Sequence, residues 1–465
     1  MHQEAYYWMY AQHPSLSYFD HPPMVAWMIG ATTAVFGDSE WGVRLGAGLF
    51  MLLNGGLMYA FARQWWGRGV AVSAAVLLEV SPVYFSIGLL ATMNPPLLAF
   101  WLVALLGFSL AVRTGRAWAW YLCGIGLGGA LLSKYTGVFI LPAVGLLLLT
   151  HKPWRRYLLS PHPYFAAVVG LAMFTPVLVW NYQHGWASFK FQFWSRFYDE
   201  PPSVRHTFFD FLGLQFALAT PIVLGGLVVI IYRWQKRRRL PAREKIALAF
   251  AVPLLLMVAK KAVVYPVHID WAAPAYLSLM PAALQVAAVR VRAGRSWPAW
   301  LWRQGAAALT LQVCLAIDFA LLLFLLFVQP RTHAWRVFGP WDEISARVQA
   351  CEDALEARTG YEPLVIVDGK YELASLVAFY RNRCRPDEVA SRTTVNQVAL
   401  GDTALGYAYW TDRSAWHGRD CLFVDTAADP RPRLDGWFDS VTIMWTGVSS
   451  NGVRYTISEC HGYRG

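Results

Sequence analysis

The sequence predicts a mainly α, polytopic membrane protein that carries a small α/β domain at its C-terminal end. Three observations predict this: an apolar composition, a succession of apolar runs of membrane-crossing length, and a change to ordinary soluble composition after Val328. Of the 465 residues, 56% are hydrophobic and 15% charged, whereas a soluble domain carries about 25% charged residues. The mean hydropathy is +0.35.

Residues 1–37 read as two short helices on a membrane surface and not as a span. Pro22-Pro23 opens the second, since proline is tolerated in a first helical turn, and Met24 to Phe36 is apolar but too short to cross, at about 13 residues against roughly 20. Tyr and Trp in this segment suit an interfacial anchor. An anchor alone does not account for the charged turn Asp20-His21.

About ten runs then have spanning length: residues 39–63, 68–90, 95–112, 117–133, 135–151, 162–182, 207–232, 244–260, 271–290 and 304–328. Pro and Gly interrupt several, as lipid-embedded helices allow when neighbours satisfy the freed backbone groups. Orientation follows from Lys and Arg, which favour short cytoplasmic loops. One set of alternate loops holds Arg63 and Arg68, Arg113 and Arg116, Lys152 with Arg155 and Arg156, the tract from Arg233 to Lys245, and Arg290 through Arg303. The other set holds only Lys134, Lys190, Arg196, Arg205, Lys260 and Lys261. The first set is therefore assigned to the cytoplasm, and both chain ends to the extracytoplasmic, periplasm-facing side of a cell (inner) membrane.

The net charge of +11 is thus a topology signal and an attraction to anionic headgroups, and a nucleic-acid partner is not indicated. The chain divides into a first external loop (1–38), a transmembrane domain (39–328) and a soluble tail (329–465). In the tail, Trp341 to Ala357 and Tyr371 to Tyr380 have helical spacing, while Pro363 to Val367, Asp420 to Asp425 and Val441 to Trp445 are strand-like. Cys351, Cys384, Cys421 and Cys460 lie there, and an oxidising compartment would permit one or two disulfides among them. Cys123 and Cys314 fall in spans as small apolar packers. Met1 is not followed by a charged segment and an apolar core, so no cleavable signal peptide is read. An exported N-terminus then suggests a helix upstream of this sequence.

Nearly all candidate chemistry falls in the external loops: Glu4, Asp20, His21, Asn94, Lys134, Asp199, Glu200, Lys260, Lys261, His268 and Asp270. Each alone is compatible with a solvated or snorkelling side chain; their expected sharing of one face makes the case for a site. Asp20, His21 and His268 also have the chemistry of zinc or manganese ligands, so a divalent metal is an option, though no cofactor is required.

Glu4-Ala5-Tyr6-Tyr7-Trp8, Tyr18-Phe19-Asp20-His21-Pro22-Pro23, Arg44-Leu45, Asn94-Pro95-Pro96-Leu97, Ser133-Lys134-Tyr135-Thr136, Trp180-Asn181 with Gln183-His184-Gly185-Trp186, and Ala273-Pro274-Ala275-Tyr276 follow one another along the chain. This order resembles bacterial relatives of dolichyl-phosphate-mannose protein mannosyltransferases and aminoarabinose lipid A transferases. It continues into the tail through Trp341-Asp342-Glu343 and Tyr371-Glu372-Leu373-Ala374. The resemblance implies the C-type glycosyltransferase (GT-C) helical bundle with extracytoplasmic amphipathic helices. It also implies transfer of a sugar from a polyprenyl phosphate, of the undecaprenyl or dolichyl type, to a lipid, glycan or protein acceptor.

Such a transfer needs a carboxylate to take the acceptor hydroxyl's proton and cations to stabilise the departing phosphate. Glu4 and Asp20 are the carboxylates expected to serve. Lys134, Lys260, Lys261 and Arg196 are expected at the donor phosphate, and Gln3, Tyr7, His21, Asn94, Tyr135, His268 and Asp270 around the substrates. Two positions depart from the family pattern. The first external loop of the family begins Asp-Glu, matched here by Gln3-Glu4, and an acid in a later Pro-Asp-x-Pro loop is matched by Asn94. Amides accept hydrogen bonds but take no proton at neutral pH. Either Glu4 or Asp20 is the base with the amides orienting substrate, or the chain is a catalytically impaired paralogue that still binds the lipid, or the match at Gln3 misleads. A transporter or flippase of lipid-linked sugars is the alternative from another class, although no internal repeat is evident.

Overall fold

Proline and glycine set the helix ends in the first loop. His2–Gln12 and Met24–Phe36 are helices; the second follows Pro22-Pro23 and stops before Gly37, whose φ of 74° a side chain would resist. The computed structural model describes residues 2–193, 204–237, 240–265, 267–292, 341–384, 390–402, 404–449 and 454–465. Arg196, Asp199, Glu200, Cys314 and the expected span 304–328 lie outside them, as does the start of the tail at 329–340.

Two units emerge from the packing. A helical unit comprises residues 21–25 and 45–321, and a sheet unit comprises 1–20, 26–44 and 322–465.

In the helical unit the apolar runs become helices Glu40–Trp66, Asn94–Thr114, Ala117–Ser133, Val204–Arg237, Ala242–Ala262 and Ala273–Arg292, the first of these beginning in the sheet unit. The run 68–90 is two helices, Arg68–Val80 and Pro82–Leu89, because Pro82 lacks the N–H that would continue the first. The run 135–151 begins as a 3₁₀ turn, Tyr135–Phe139, before Ile140–Thr150. The run 162–182 bends by 45° between His162–Met173 and Thr175–Gln183, again beside a proline, Pro176. Among the described residues two helices, Glu40–Trp66 and Asn94–Thr114, are long and apolar enough to cross a membrane, and up to five spans result if each bent pair is one.

Asn94–Thr114 and Ala117–Ser133 lie close together because small residues line their contact. A Cβ at Gly126 would stand 2.4 Å from the Ala104 backbone nitrogen. Trp101, Phe108, Trp120 and Phe250 fill the centre, with Phe108 edge-on to Trp120 at 5.8 Å. Two polar side chains inside find backbone partners: Tyr84 donates to the Ala273 carbonyl at 2.7 Å, and Asn54 to that of Pro95 at 3.2 Å.

The sheet unit is built on five strands: β1 (Leu364–Val367), β2 (Thr394–Val395), β3 (Cys421–Asp425), β4 (Ser440–Val448) and β5 (Arg454–His461). Their order is β2-β1-β3-β5-β4. β1 runs parallel to β2 and β3, and β5 antiparallel to β3 and β4. β1, and β3 up to its last residue Asp425, are apolar runs buried on both faces as central strands are, whereas edge strand β4 alternates in exposure. Helices Trp341–Thr359 and Glu372–Cys384 accompany the sheet. Between them Arg381, almost wholly buried, is ion-paired to Glu352 and donates to Thr394 Oγ1 at 2.6 Å and Gln349 Oε1 at 3.2 Å.

The first helix of the chain belongs to this same unit. Trp8 stands edge-on to Phe379 with ring centres 5.2 Å apart, and Tyr6 lies 4.6 Å from Tyr371. The Gly406 amide donates to the Tyr6 hydroxyl at 2.9 Å, and a Cβ at Gly406 would stand only 2.9 Å from that oxygen. Asp38 accepts from Trp8 Nε1 at 2.7 Å and from Asn382 Nδ2 at 3.0 Å.

Candidate active site

In the helical unit, three chain segments end at one polar cluster. Lys134 follows the last residue of Ala117–Ser133 in extended backbone, Asn94 opens Asn94–Thr114 ahead of Pro95-Pro96, and Asp270 sits in a 3₁₀ turn, Ile269–Ala272, before Ala273–Arg292. The Lys134 ammonium donates to Asp270 Oδ2 at 2.7 Å and to Asn94 Oδ1 at 3.1 Å. Lys134 and Asn94 are buried, at 8% and 6% exposure. Burial pushes the Asp270 carboxyl up, but the charge and hydrogen bond of Lys134, with smaller contributions from His268 and Asn94, outweigh it and hold the group below the usual carboxylate range.

An amide suits position 94 for a physical reason. Asn94 accepts from Lys134 through its carbonyl at 3.1 Å and donates to Thr92 Oγ1 through its NH₂ at 3.4 Å, whereas an ionised carboxylate there could only accept. The cluster therefore balances one ammonium against one carboxylate.

The other expected residues of this unit are more dispersed. Tyr135 is turned to Ser188, its hydroxyl 2.6 Å from Oγ. Lys260 is exposed and Lys261 half-buried in the last turn of Ala242–Ala262. His268 is exposed with its ring 6.0 Å from that of Trp271, and His21 is buried. Arg196 lies outside the described residues.

In the sheet unit Glu4 is buried and fully engaged. Both its oxygens accept from Arg44, Oε1 from Nε and Oε2 from an Nη, each at 2.8 Å. Glu40 lies 3.9 Å from Arg44 and accepts from the Tyr380 hydroxyl at 2.5 Å. Glu4, Glu40, Arg44, Phe379 and Tyr380 are among the residues lining a small, partly open pocket. Asp20 Oδ1 accepts from the Tyr6 hydroxyl at 2.9 Å and from that of Tyr10. Burial, together with the Asp20 charge, raises both tyrosines well above their ordinary values and keeps them donors. Tyr7 is buried, its ring 5.8 Å from that of Tyr6 and 5.6 Å from that of Tyr10, and Gln3 is exposed.

The expected metal option is not supported: among the described residues no three His, Cys, Asp or Glu side chains form a group able to hold a metal ion. The tail cysteines Cys351, Cys384, Cys421 and Cys460 stand as free thiols in the structure. Arg44 is the residue whose importance the sequence reading understates. Its signal was present, as the first cation in the chain and four residues after Glu40.

Comparison with known proteins finds similar sequences and a similar fold. A profile of the family described as dolichyl-phosphate-mannose-protein mannosyltransferase matches residues 20–180. The lipid A galacturonosyltransferase RgtD of Rhizobium johnstonii is 28% identical over 285 residues, covering 59% of this chain and 58% of the relative. An undecaprenyl phosphate-α-4-amino-4-deoxy-L-arabinose arabinosyl transferase of Pseudomonas fluorescens is 29% identical over 266 residues, 53% of this chain and 45% of the relative. The chain thus spans about half the length of these relatives. The crystal structure of ArnT from Cupriavidus metallidurans bound to undecaprenyl phosphate superposes with a TM-score of 0.61 at 18% identity, covering 98% of this chain and 92% of that one. The chain accordingly has the GT-C fold, mostly helical with a small sheet. The resemblance read from its motifs is borne out: the chain is similar to mannosyltransferase-like and aminoarabinose transferase-like membrane glycosyltransferases.

Proposed function

We propose that this protein is a membrane glycosyltransferase that moves a sugar from a polyprenyl phosphate to a lipid, glycan or protein acceptor. The observation that carries the proposal is the buried ammonium of Lys134, held by Asp270 and Asn94 at the junction of three helix ends. A buried cation on a short tether of hydrogen bonds is what a phosphate monoester leaving group needs. The named activities of RgtD and ArnT support the same chemistry.

In the reaction, a carboxylate accepts the proton of the acceptor hydroxyl as its oxygen attacks the anomeric carbon. The bond from that carbon to the phosphate oxygen breaks, and the polyprenyl phosphate leaves with both electrons of the bond. Lys134, assisted by Lys260, Lys261 and Arg196, neutralises the growing charge. Glu4 and Asp20 are the carboxylates proposed for the proton. Glu4 must first exchange its Arg44 contact, and Asp20 acts with Tyr6 and Tyr10 as hydrogen-bond donors. Gln3, His21, Asn94, Tyr135, His268 and Asp270 orient the substrates. The proposal includes a multi-pass topology of about ten spans in a cell membrane, with the site and the tail on the extracytoplasmic side.

Membranes containing the chain, or its Lys134→Ala or Glu4→Gln variant, are incubated with a radiolabelled polyprenyl-phosphate sugar and assayed for label in new acceptors. Transfer lost in both variants supports the reading. Binding without transfer in the unmodified chain indicates an impaired paralogue, and movement of the labelled lipid between leaflets without transfer indicates a flippase.

A further inference from the structure

Strand β3 begins and strand β5 nearly ends with a cysteine, and the antiparallel register sets Cys421 directly opposite Cys460. Directly opposed residues of an antiparallel pair stand about 4.5 to 5.5 Å apart at Cα, inside the separation of roughly 4.4 to 6.8 Å that a disulfide bridges. Both side chains enter the same core, with Trp416, Phe438 and Tyr463 around them. Both are buried. No other two cysteines among the described residues are opposed across a strand pair; Cys351 is half-buried on one helix and Cys384 exposed at the end of another.

We propose that Cys421 and Cys460 are a cross-strand disulfide site that staples β3 to β5 and closes the loop containing β4. Its occupancy in the cell rests on the extracytoplasmic placement of the tail proposed above. In the forming step one thiolate attacks the disulfide of a thiol–disulfide oxidoreductase, and the second thiolate displaces the mixed disulfide. Two thiols become one disulfide, and the donor takes up the two electrons and two protons as a dithiol. Burial pushes the Cys421 thiol well above its ordinary value, so exchange belongs to the stage before the strands close over the sulfurs. Once formed, the bond is shielded from reductant.

The test uses the full chain, isolated from membranes after blocking free thiols, and digested without reduction. A linked peptide joining Cys421 to Cys460 that disappears on reduction, with Cys351 and Cys384 alkylated, is the expected result. Thermal unfolding followed by protease resistance should rise by several degrees in the bridged form. In parallel, Cys384 is labelled in whole cells with a membrane-impermeant maleimide. Outside labelling of Cys384 together with free Cys421 and Cys460 overturns the disulfide and leaves the functional reading intact. Absence of outside labelling removes the proposed orientation instead, and diamide oxidation of the detergent-solubilised chain then decides. The Cys421 to Cys460 link upholds the site, and unlinked thiols or links to Cys351 or Cys384 overturn it.

Discussion

Arg44 grips Glu4 with two parallel hydrogen bonds of 2.8 Å across 40 positions of sequence. A guanidinium holds a carboxylate in this fork, whereas a lysine presents a single point charge. Arg44 is about one-third exposed and Glu4 nearly buried, so the pair stabilises less than a fully buried one. Arg44→Lys is expected to lower the stability of the sheet unit by about 1 kcal/mol after solvent screening. It should also lower transfer at least tenfold, if Glu4 must be presented in one orientation. Circular dichroism melts and the labelled-donor assay measure the two effects separately, and unchanged transfer in a destabilised variant would show that the fork is structural only.

Removing one side of the Lys134–Asp270 pair leaves the other charge among helix ends. Lys134→Ala should cost roughly 3 kcal/mol and abolish detectable transfer, while Lys134→Arg should restore stability better than activity. Transfer by Lys134→Ala at more than a tenth of the normal rate excludes the lysine from the phosphate.

Asn94→Asp restores the acid that the family carries there and places a second carboxylate on Lys134. The lysine is then neutralised twice, so the apparent KM for the polyprenyl-phosphate donor should rise about tenfold, with kcat falling less. A gain in kcat at unchanged KM would instead mark position 94 as a lost catalytic acid.

The depressed Asp270 carboxyl makes the helical unit acid-sensitive. A group whose folded pKa lies below its unfolded value contributes stability that is fully present above the unfolded value and is lost as pH falls through the folded one. The loss should begin below about pH 4, the ordinary aspartate range, and continue downward. Asp270→Asn should be less stable than the parent at pH 7 and should lose this acid-side slope. Tryptophan fluorescence melts between pH 3 and pH 7 measure both, and parallel slopes in parent and variant would contradict the assignment.

Gly406→Ala puts a methyl carbon against the Tyr6 hydroxyl. Overpacking a closed core costs about 1 to 3 kcal/mol, and limited proteolysis of residues 1–12 should accelerate accordingly. Tyr6→Phe combined with Gly406→Ala should recover part of the loss, because the clashing oxygen is gone.

Helices were legible where local chemistry decides them. Met24–Phe36 has its expected bounds because Pro22-Pro23 and Gly37 set them, and Asn94–Thr114 falls within two residues of the expected 95–112 because proline starts it and Gly115, with φ 71°, ends it. Two strands were not legible. Thr394–Val395 is too short for any period, and in β5 the buried Thr456, Ser458 and Glu459 hide the apolar alternation that marks a strand. Within the site, Lys134, Asn94 and Asp270 could be named from residue type and loop position. The engagement of Glu4 by Arg44 could not, because a contact set by tertiary packing leaves no periodicity in the chain.

Tyr6 and Gly406, bonded to each other, are separated by 400 positions. Helix His2–Gln12 cannot complete its packing before the segment around Gly406 has been made, so its aromatic face stays uncovered while the intervening positions are synthesised. That delay opens a window in which a chaperone or the bilayer surface shelters those rings.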